Sequence, residues 1–248
     1  MHILYGFHAV HEAWLNPERE IEALYLLPNA ERGFQETLQK AKSLGLKRPK
    51  PIMVEKQKLE RTLPKGAVHQ GVSIKCKPLA EYDLQDFIIK SQSSKRFCLA
   101  ILDQVTDPHN VGAIIRSACV FGIDGIIMQK KHAPSLDGVL AKAACGSIEH
   151  VPVAYVTNLN RAIEALQESL FWAFGLDSEA NQFLNDAPSN DKLAMILGAE
   201  GKGMRHSLKE KCDFMVKLPT AGPIASLNVS NAAAVAFYAF SMHTPPPA

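Results

Sequence analysis

Long apolar runs are missing from this sequence. No segment approaches the ~20 residues that a helix needs to cross a bilayer, and the first residues, MHILYGFHAV, lack a basic stretch leading into an apolar one. Neither a membrane span nor a secretory signal is expected, and the chain reads as a soluble protein. Cysteine is sparse and unpatterned. Cys76, Cys98, Cys119, Cys145 and Cys212 are odd in number and contain no C-x-x-C pair, which argues against a disulfide framework or a zinc site and for a reducing cytoplasm. Histidine supplies no other ligand set: His8 and His11 stand three apart without an accompanying carboxylate or cysteine pattern, His109 and His206 are similar cases, and no metal is expected. The familiar phosphate loops are missing too. GAEGKGM has three glycines, yet fits neither G-x-G-x-x-G nor G-x-x-x-x-G-K-[ST], because Met204 follows Gly203.

What is present suffices for one large or two ordinary domains: 248 residues, 47% of them hydrophobic. The net charge of +2 conceals an asymmetry. Residues 1–78 carry 13 lysines and arginines against 8 acids, whereas the remainder carries 14 against 17. Between 40 and 65 stand Lys40, Lys42, Lys47, Arg48, Lys50, Lys56, Lys58, Arg61 and Lys65, opposed only by Glu55 and Glu60. A solvated helix and loop would have this composition. A phosphate-facing patch would as well, since clustered cations displace counterions from a nucleic acid without reading its sequence.

Periodicity divides the chain into a small α/β domain over 1–78, a linker over 79–96 with one short amphipathic helix, and a larger domain over 97–248. In the first, a helix around GFHAVHEAWLN precedes a strand at ALYLL, a charged helix ending at Gly45, and short strands at PIMVEK and HQGVSIKCK. From Phe97 onward, strands alternate with helices: FCLAILDQV, GIDGIIMQ, HVPVAYV, FWAFGLD, LAMILGAE and FMVKLP are the strands, and the helix starting near SLNVSNAAAVAF comes last. Strands that are apolar throughout and separated by helices predict a parallel sheet covered on both faces. No repeat or low-complexity tract is evident, and the tail TPPPA is expected to be disordered.

A parallel α/β domain places ligands outside the carboxyl ends of its strands. Without a phosphate loop, a phosphate-poor ligand fits better, and S-adenosylmethionine has no phosphate. The stretch AGPIASLNVSNAAAVAF begins an apolar helix with Ser226, Asn228 and Ser230. One such side chain caps a helix. Three in alternation, beside Gly222 and Pro223, suggest a surface that also meets a ligand.

Three segments stand out together: DPHNVGAIIRSA at 107–118, ILGAEGKGM at 196–204 and LPTAGPIASLNVSNA at 218–232. In order and spacing they resemble the three motifs of the SPOUT methyltransferases of the TrmH/RlmB type, RNA ribose 2′-O-methyltransferases. LYGFHAVHEAW and VHQGVSI look like the ribosomal-protein-like substrate-binding domain of the members that act on a guanosine of 23S ribosomal RNA, so the resemblance extends over nearly the full length. It implies a C-terminal domain with a deep trefoil knot, S-adenosylmethionine as methyl donor, RNA as partner, and a homodimer in which residues of one subunit complete the other's site. Looped or single-stranded RNA is expected, since a ribose in a regular duplex is hard to reach.

The resemblance also assigns residues. Arg116 lies off the apolar stripe of Val111, Ile114, Ile115 and Ala118 and by pattern alone would be a solvated arginine. In the family the matching arginine acts on the ribose hydroxyl as a general base or anchors the adjoining phosphate. A free arginine titrates at roughly 12.5–13.8, so the first role demands a strong depression that bidentate phosphate binding does not. Asn110 is either an N-cap or a contact to that arginine or the target nucleotide. Glu200 is either a solvated loop carboxylate or a group orienting Arg116 or the substrate, and a carboxylate beside an arginine favours its charged form. Ser226 and Asn228 would hold substrate or take part in catalysis; Gly198, Ala199, Leu218, Leu227 and the adjacent Gly222 would enclose the donor. Ile224 and Ala225 depart from the Val-Ser of many relatives. The readings that compete are a transfer RNA 2′-O-methyltransferase, a non-catalytic RNA-binding module and a nicotinamide-dependent dehydrogenase, the last disfavoured by the missing dinucleotide fingerprint.

Overall fold

The computed structural model describes residues 1–188, 190–223 and 226–242; the tail TPPPA and the Ile224–Ala225 pair lie outside these residues. The chain divides into two compact units, Met1–Ala80 with Pro134–His150, and Glu81–Ala133 with the described residues from Val151 on.

The first unit holds β1 (His2–Tyr5), α1 (Phe7–Leu15), β2 (Ile21–Leu26), α2 (Pro28–Ser43), β3 (Ile52–Met53), α3 (Lys56–Glu60) and β4 (Val72–Cys76). Its sheet has the order β1-β4-β2-β3, with β4 antiparallel to β1 and β2, and β3 parallel to β2. α1 buries Ala9, Val10, Ala13 and Trp14, one face at helical spacing. α2 opens with Pro28, whose missing N–H costs nothing in a first turn, and buries Phe34, Thr37 and Ala41 while Lys40 and Lys42 face the carbonyl end. Of the basic run at 40–65, Arg48 is turned inward. Its guanidinium donates to the carbonyls of Trp14, Asn16 and Arg19 at 2.8, 2.6 and 3.1 Å, so it braces the fold and leaves the other cations to form the exposed patch.

The second unit is a seven-stranded parallel sheet, β7-β6-β5-β10-β8-β11-β9. It is built from α4 (Leu84–Gln92), β5 (Phe97–Asp103), α5 (Pro108–Phe121), β6 (Gly125–Gln129), β7 (Val153–Val156), α7 (Leu159–Glu168), β8 (Trp172–Leu176), β9 (Gln182–Phe183), β10 (Lys192–Gly198), α8 (His206–Lys209), β11 (Phe214–Lys217) and α9 (Val229–Met242). All seven residues of β5 are buried, and β10 pairs with it from Lys192↔Phe97 to Gly198↔Asp103. β5 has β6 on one side and β10 on the other, so the chain reverses direction across the sheet here, and loops diverge at its carboxyl edge. α4, inside the stretch read as a linker, is closed by a capping box between Asp83 and Asp86 and sends Phe87 and Ile88 into the core with Leu99 and Ile163. The two-residue edge strand β9 was not anticipated, because two residues are too few to show alternation.

The intervening segment, with α6 (Gly138–Ala143) and a short 3-10 turn (Ser147–Glu149), packs in the first unit although it lies within the 97–248 stretch. The Arg19 guanidinium meets the Glu149 carboxylate at 2.6 and 3.1 Å, both side chains being almost wholly buried, and donates to the Lys77 carbonyl. Gly146, at φ +91°, leaves no room for a Cβ against Glu12. No local pattern reveals a pairing across 130 residues.

Candidate functional site

Two cavities lie at the carboxyl end of the parallel sheet. The first, of about 390 Å³, is formed by the ends of β8, β10 and β11 and the start of α9. Of the residues expected to enclose a donor, Gly198, Ala199, Leu218 and Leu227 line it, as do Glu200, Ser226 and Asn228. Gly222 does not; it is exposed on the connecting loop. The sequence reading missed Leu176 at the end of β8, Asp177 and Ser178 just after it, Val216 and Lys217 at the end of β11, and Thr220. Their only signal was position, at the carboxyl ends of apolar strands.

The glycines of GAEGKGM shape the wall between β10 and α8. Gly203 N–H donates to the Ala199 carbonyl at 2.8 Å, and Gly201 and Gly203 have φ of +79° and +65°, which glycine adopts without strain. The loop folds back so far that a Cβ on Gly198 would sit 2.3 Å from Gly203 C and Met204 N.

Asn228 separates capping from ligand-facing chemistry atom by atom. Its carbonyl receives the Ala232 N–H, and its Oδ1 accepts from the Ser230 N–H and hydroxyl at 2.9 and 2.6 Å, so Asn228 caps α9. Its Nδ2 donates to Asn110 Oδ1 at 3.0 Å and Glu200 Oε2 at 3.1 Å. All three motifs thus meet in one amide. Asn110 is not the cap of α5; Asp107 takes that place, accepting from His109 N–H at 3.0 Å, and frees Asn110 to bond across the site. Arg116, six residues further on, is exposed and lines neither cavity.

The first cavity's chemistry suits a phosphate-free adenosine derivative. Leu176, Leu197, Val216 and Leu218 supply an apolar wall, the Gly198–Gly203 loop presents backbone groups, and Asp177 and Glu200 are carboxylates that favour a positive centre. The cationic lining residue, Lys217, holds its Nζ 5.2 Å from the centre of the Phe183 ring. Burial pushes the Asp177 carboxyl up, but the hydrogen bond and charge of Lys209 and the Glu179 N–H outweigh it and leave it below the usual carboxylate value. Among the described residues, no group of histidines, cysteines and carboxylates is placed to hold a metal, and no helix is long and apolar enough to cross a membrane.

The second cavity, of about 830 Å³, lies at the ends of β5, β6 and β10 and shares Ala199 and Glu200 with the first. Beside it, the fully buried Asp103 accepts from the Arg205 backbone N–H at 2.9 Å and Nε at 2.8 Å. The sequence reading singled out neither residue, although an acid closing a wholly apolar strand was a visible signal.

Fold and site together define a methyltransferase class. Residues 98–238 match the SpoU rRNA Methylase family and residues 3–82 match RNA 2′-O ribose methyltransferase substrate binding domains; the chain belongs to the SpoU rRNA methylase family. Its relatives include the 23S rRNA (guanosine-2′-O-)-methyltransferases RlmB of Shewanella oneidensis, 39% identical over 241 residues (95% of each chain), and of Escherichia coli K12, 37% identical over 238 residues (95% of this chain, 96% of the relative). The SpoU methyltransferase AviRb from Streptomyces viridochromogenes, solved with AdoMet, shares the fold with a TM-score of 0.79 at 21% identity, over 97% of this chain and 89% of that one. The SPOUT resemblance read from the three motifs is thereby established.

Proposed function

We propose that the protein transfers methyl from S-adenosylmethionine to the ribose 2′-hydroxyl of a guanosine in 23S ribosomal RNA. The convergence of Asn110 on Glu200 and Asn228, two residues that line the first cavity, carries this reading. When bound, S-adenosylmethionine supplies a sulfonium methyl, so that an O–CH₃ bond replaces the S–CH₃ bond, the sulfur leaves as a thioether and the hydroxyl's proton passes to solvent. The residues of the chain position the hydroxyl: the leucines wall the cavity, and Asn228 fixes the Glu200 carboxylate in its lining.

In this reading the exposed lysines between residues 40 and 65 recruit the RNA backbone. Arg116 anchors the phosphate beside the target ribose, a role that keeps its charge. Because Arg116 lines neither cavity, we place it in the site of a second subunit. Val120 on α5 and Val235, Tyr238 and Met242 on α9 are exposed, and Phe121 and Tyr238 make an edge contact where these helices meet, which gives a homodimer an apolar face to cover. The knotted path of the C-terminal chain belongs to the same reading, as does a cytoplasmic place of action, where ribosomal RNA is found.

The test is transfer of labelled methyl to purified ribosomal RNA and, separately, transfer RNA, with the product nucleoside identified, for the native protein and Arg116→Ala. Label on a ribosomal guanosine ribose, lost in the variant, supports the reading. Label on transfer RNA alone replaces the substrate, and donor binding without transfer to either replaces the enzyme by a binding module.

A further inference from the structure

The methyl-donor reading leaves the larger cavity without an occupant. At about 830 Å³ it falls within the ~300–1,000 Å³ range of small-molecule sites. Leu102, Val105 and Met128 give it an apolar floor, while Gln104, Gln129, Lys131, Lys202 and Arg205 contribute polar groups. Two features show that its walls are held in place. Arg205, fixed by Asp103, donates from Nη2 to Gln129 Oε1 at 3.1 Å, and Gln129 Nε2 donates in turn to the Thr157 carbonyl at 3.2 Å. Arg205 Nη1 takes part in none of these bonds. Gln104 and His132, both lining residues, hold left-handed backbone at φ +59° and +70°, a strain that non-glycine residues keep only when their surroundings impose it.

We propose that this cavity receives the base of the target guanosine, and that its ribose crosses the wall formed by Ala199 and Glu200 to reach the donor cavity. The inference rests on the function proposed above and adds to it the site where the base is read. Guanine presents two acceptors, O6 and N7, on one edge and donors at N1 and N2 on another. Arg205, Lys131 and Lys202 offer only donors and match the first edge, the commonest pairing of guanine with protein side chains. Glu200 and the Gln104 side-chain carbonyl are acceptors for the second. Adenine would set its N6 amino group against those cations and bring no N2 donor to the carboxylate. Leu102 and Met128 offer the base an apolar surface in exchange for the neighbours it leaves, which suits a looped or flipped nucleotide. Glu200 lines both cavities, so one carboxylate faces base and ribose at once.

The experiment measures direct binding of guanosine and adenosine 5′-monophosphates in the presence of S-adenosylhomocysteine, alongside methyl transfer to 23S ribosomal RNA, for the native protein, Gln129→Leu and Gln104→Ala. Thermal melting confirms that each variant folds; Gln104 is exposed, and its replacement leaves the core untouched. The expected result is a preference for the guanosine nucleotide of roughly tenfold or more, lost in Gln129→Leu, with kcat/KM for RNA down by a similar factor in both variants and affinity for S-adenosylhomocysteine unchanged. Equal binding of the two nucleotides would mean that the lysines hold phosphate alone and overturns the proposal, as does wild-type kcat/KM in both variants. If the native protein methylates no RNA, the proposed function fails, while the nucleotide titration still decides what the cavity reads.

Discussion

Asn228 donates its side-chain amide to Asn110 at 3.0 Å, tying the start of the last helix to the start of a helix 118 residues earlier. Because capping uses Oδ1 and the ties to Asn110 and Glu200 use Nδ2, substitution can divide the two jobs. Asn228→Ser keeps a good capping oxygen, so its stability should fall by less than about 1 kcal/mol. It lacks the amide donor that fixes Glu200, and methyl transfer should fall about 10²-fold, the scale of a small misplacement at a reacting centre. Asn228→Asp also caps, but sets a second carboxylate against Glu200 and should be at least as inactive. Chemical denaturation and single-turnover transfer measured together check both; equal losses of stability in Ser and Ala variants would refute the division.

Gly198→Ala should abolish donor binding. The added Cβ would meet backbone atoms of Gly203 and Met204 at 2.3 Å, and backbone cannot swing aside as the end of a side chain can. The loop from Ala199 to Gly203 must move, and with it the wall of the first cavity. Calorimetric titration with S-adenosylhomocysteine should show no heat of binding. Gly201→Ala, where no atom lies within 4 Å of the new Cβ but φ is +79°, should weaken binding without eliminating it.

The parallel sheet was legible because β5 and β10 are apolar almost end to end, whereas a strand with one face in water would alternate. That Gly198, Leu218 and Leu227 line one cavity was legible, because they fall in motifs whose order survives in one sequence. Asp177 and Thr220 were not, for nothing in their types distinguishes them from other loop residues; only the sheet brings them to the same edge. The place of residues 134–150 was hidden for a related reason. Arg19 and Glu149 read as two ordinary charges until folding buries them together. Asn110 stood open between cap and contact because Asp107, three residues before it, is an equally good cap, and sequence does not rank them.

Asp103 and Arg205 should respond unequally to truncation. Arg205→Met leaves a carboxylate with no exposed surface and only a backbone N–H to satisfy it, a loss of about 3 kcal/mol. Asp103→Ala leaves an arginine whose side chain is 37% exposed and can turn to water, so the loss should be smaller, about 1–2 kcal/mol. Urea unfolding of the two variants distinguishes this order from its reverse.

The cysteines should be inert in the native protein where their surroundings raise the thiol most. Burial pushes the thiol of Cys76 up to about 11 and that of Cys212 to about 12, and raises Cys98 well above its usual value. A thiol must ionise to be alkylated. Iodoacetamide at pH 8 should leave these three unmodified by mass spectrometry until denaturant is added, whereas a reactive Cys98 in the folded protein would contradict its burial.

Asp177 gives stability a pH dependence with a defined sign. Its folded carboxyl lies below the ordinary aspartate value, since the Lys209 ion pair and the Glu179 N–H outweigh the opposing effect of burial. A depressed carboxyl contributes stability that is complete above the unfolded value of roughly 3.9 and is lost as pH falls through the lower, folded value. Asp177→Asn should therefore melt below the native protein at pH 7, with the gap closing as pH is lowered through 4 and vanishing once the native carboxylate is protonated. Melting curves at pH 7, 5, 4 and 3 measure it; a gap that widens in acid would reverse the assignment. Because Asp177 also lines the first cavity, where the proposed function puts the donor, the same variant should bind S-adenosylmethionine more weakly while its affinity for S-adenosylhomocysteine, which lacks the sulfonium charge, changes less; this separates attraction to the sulfonium from simple loss of shape.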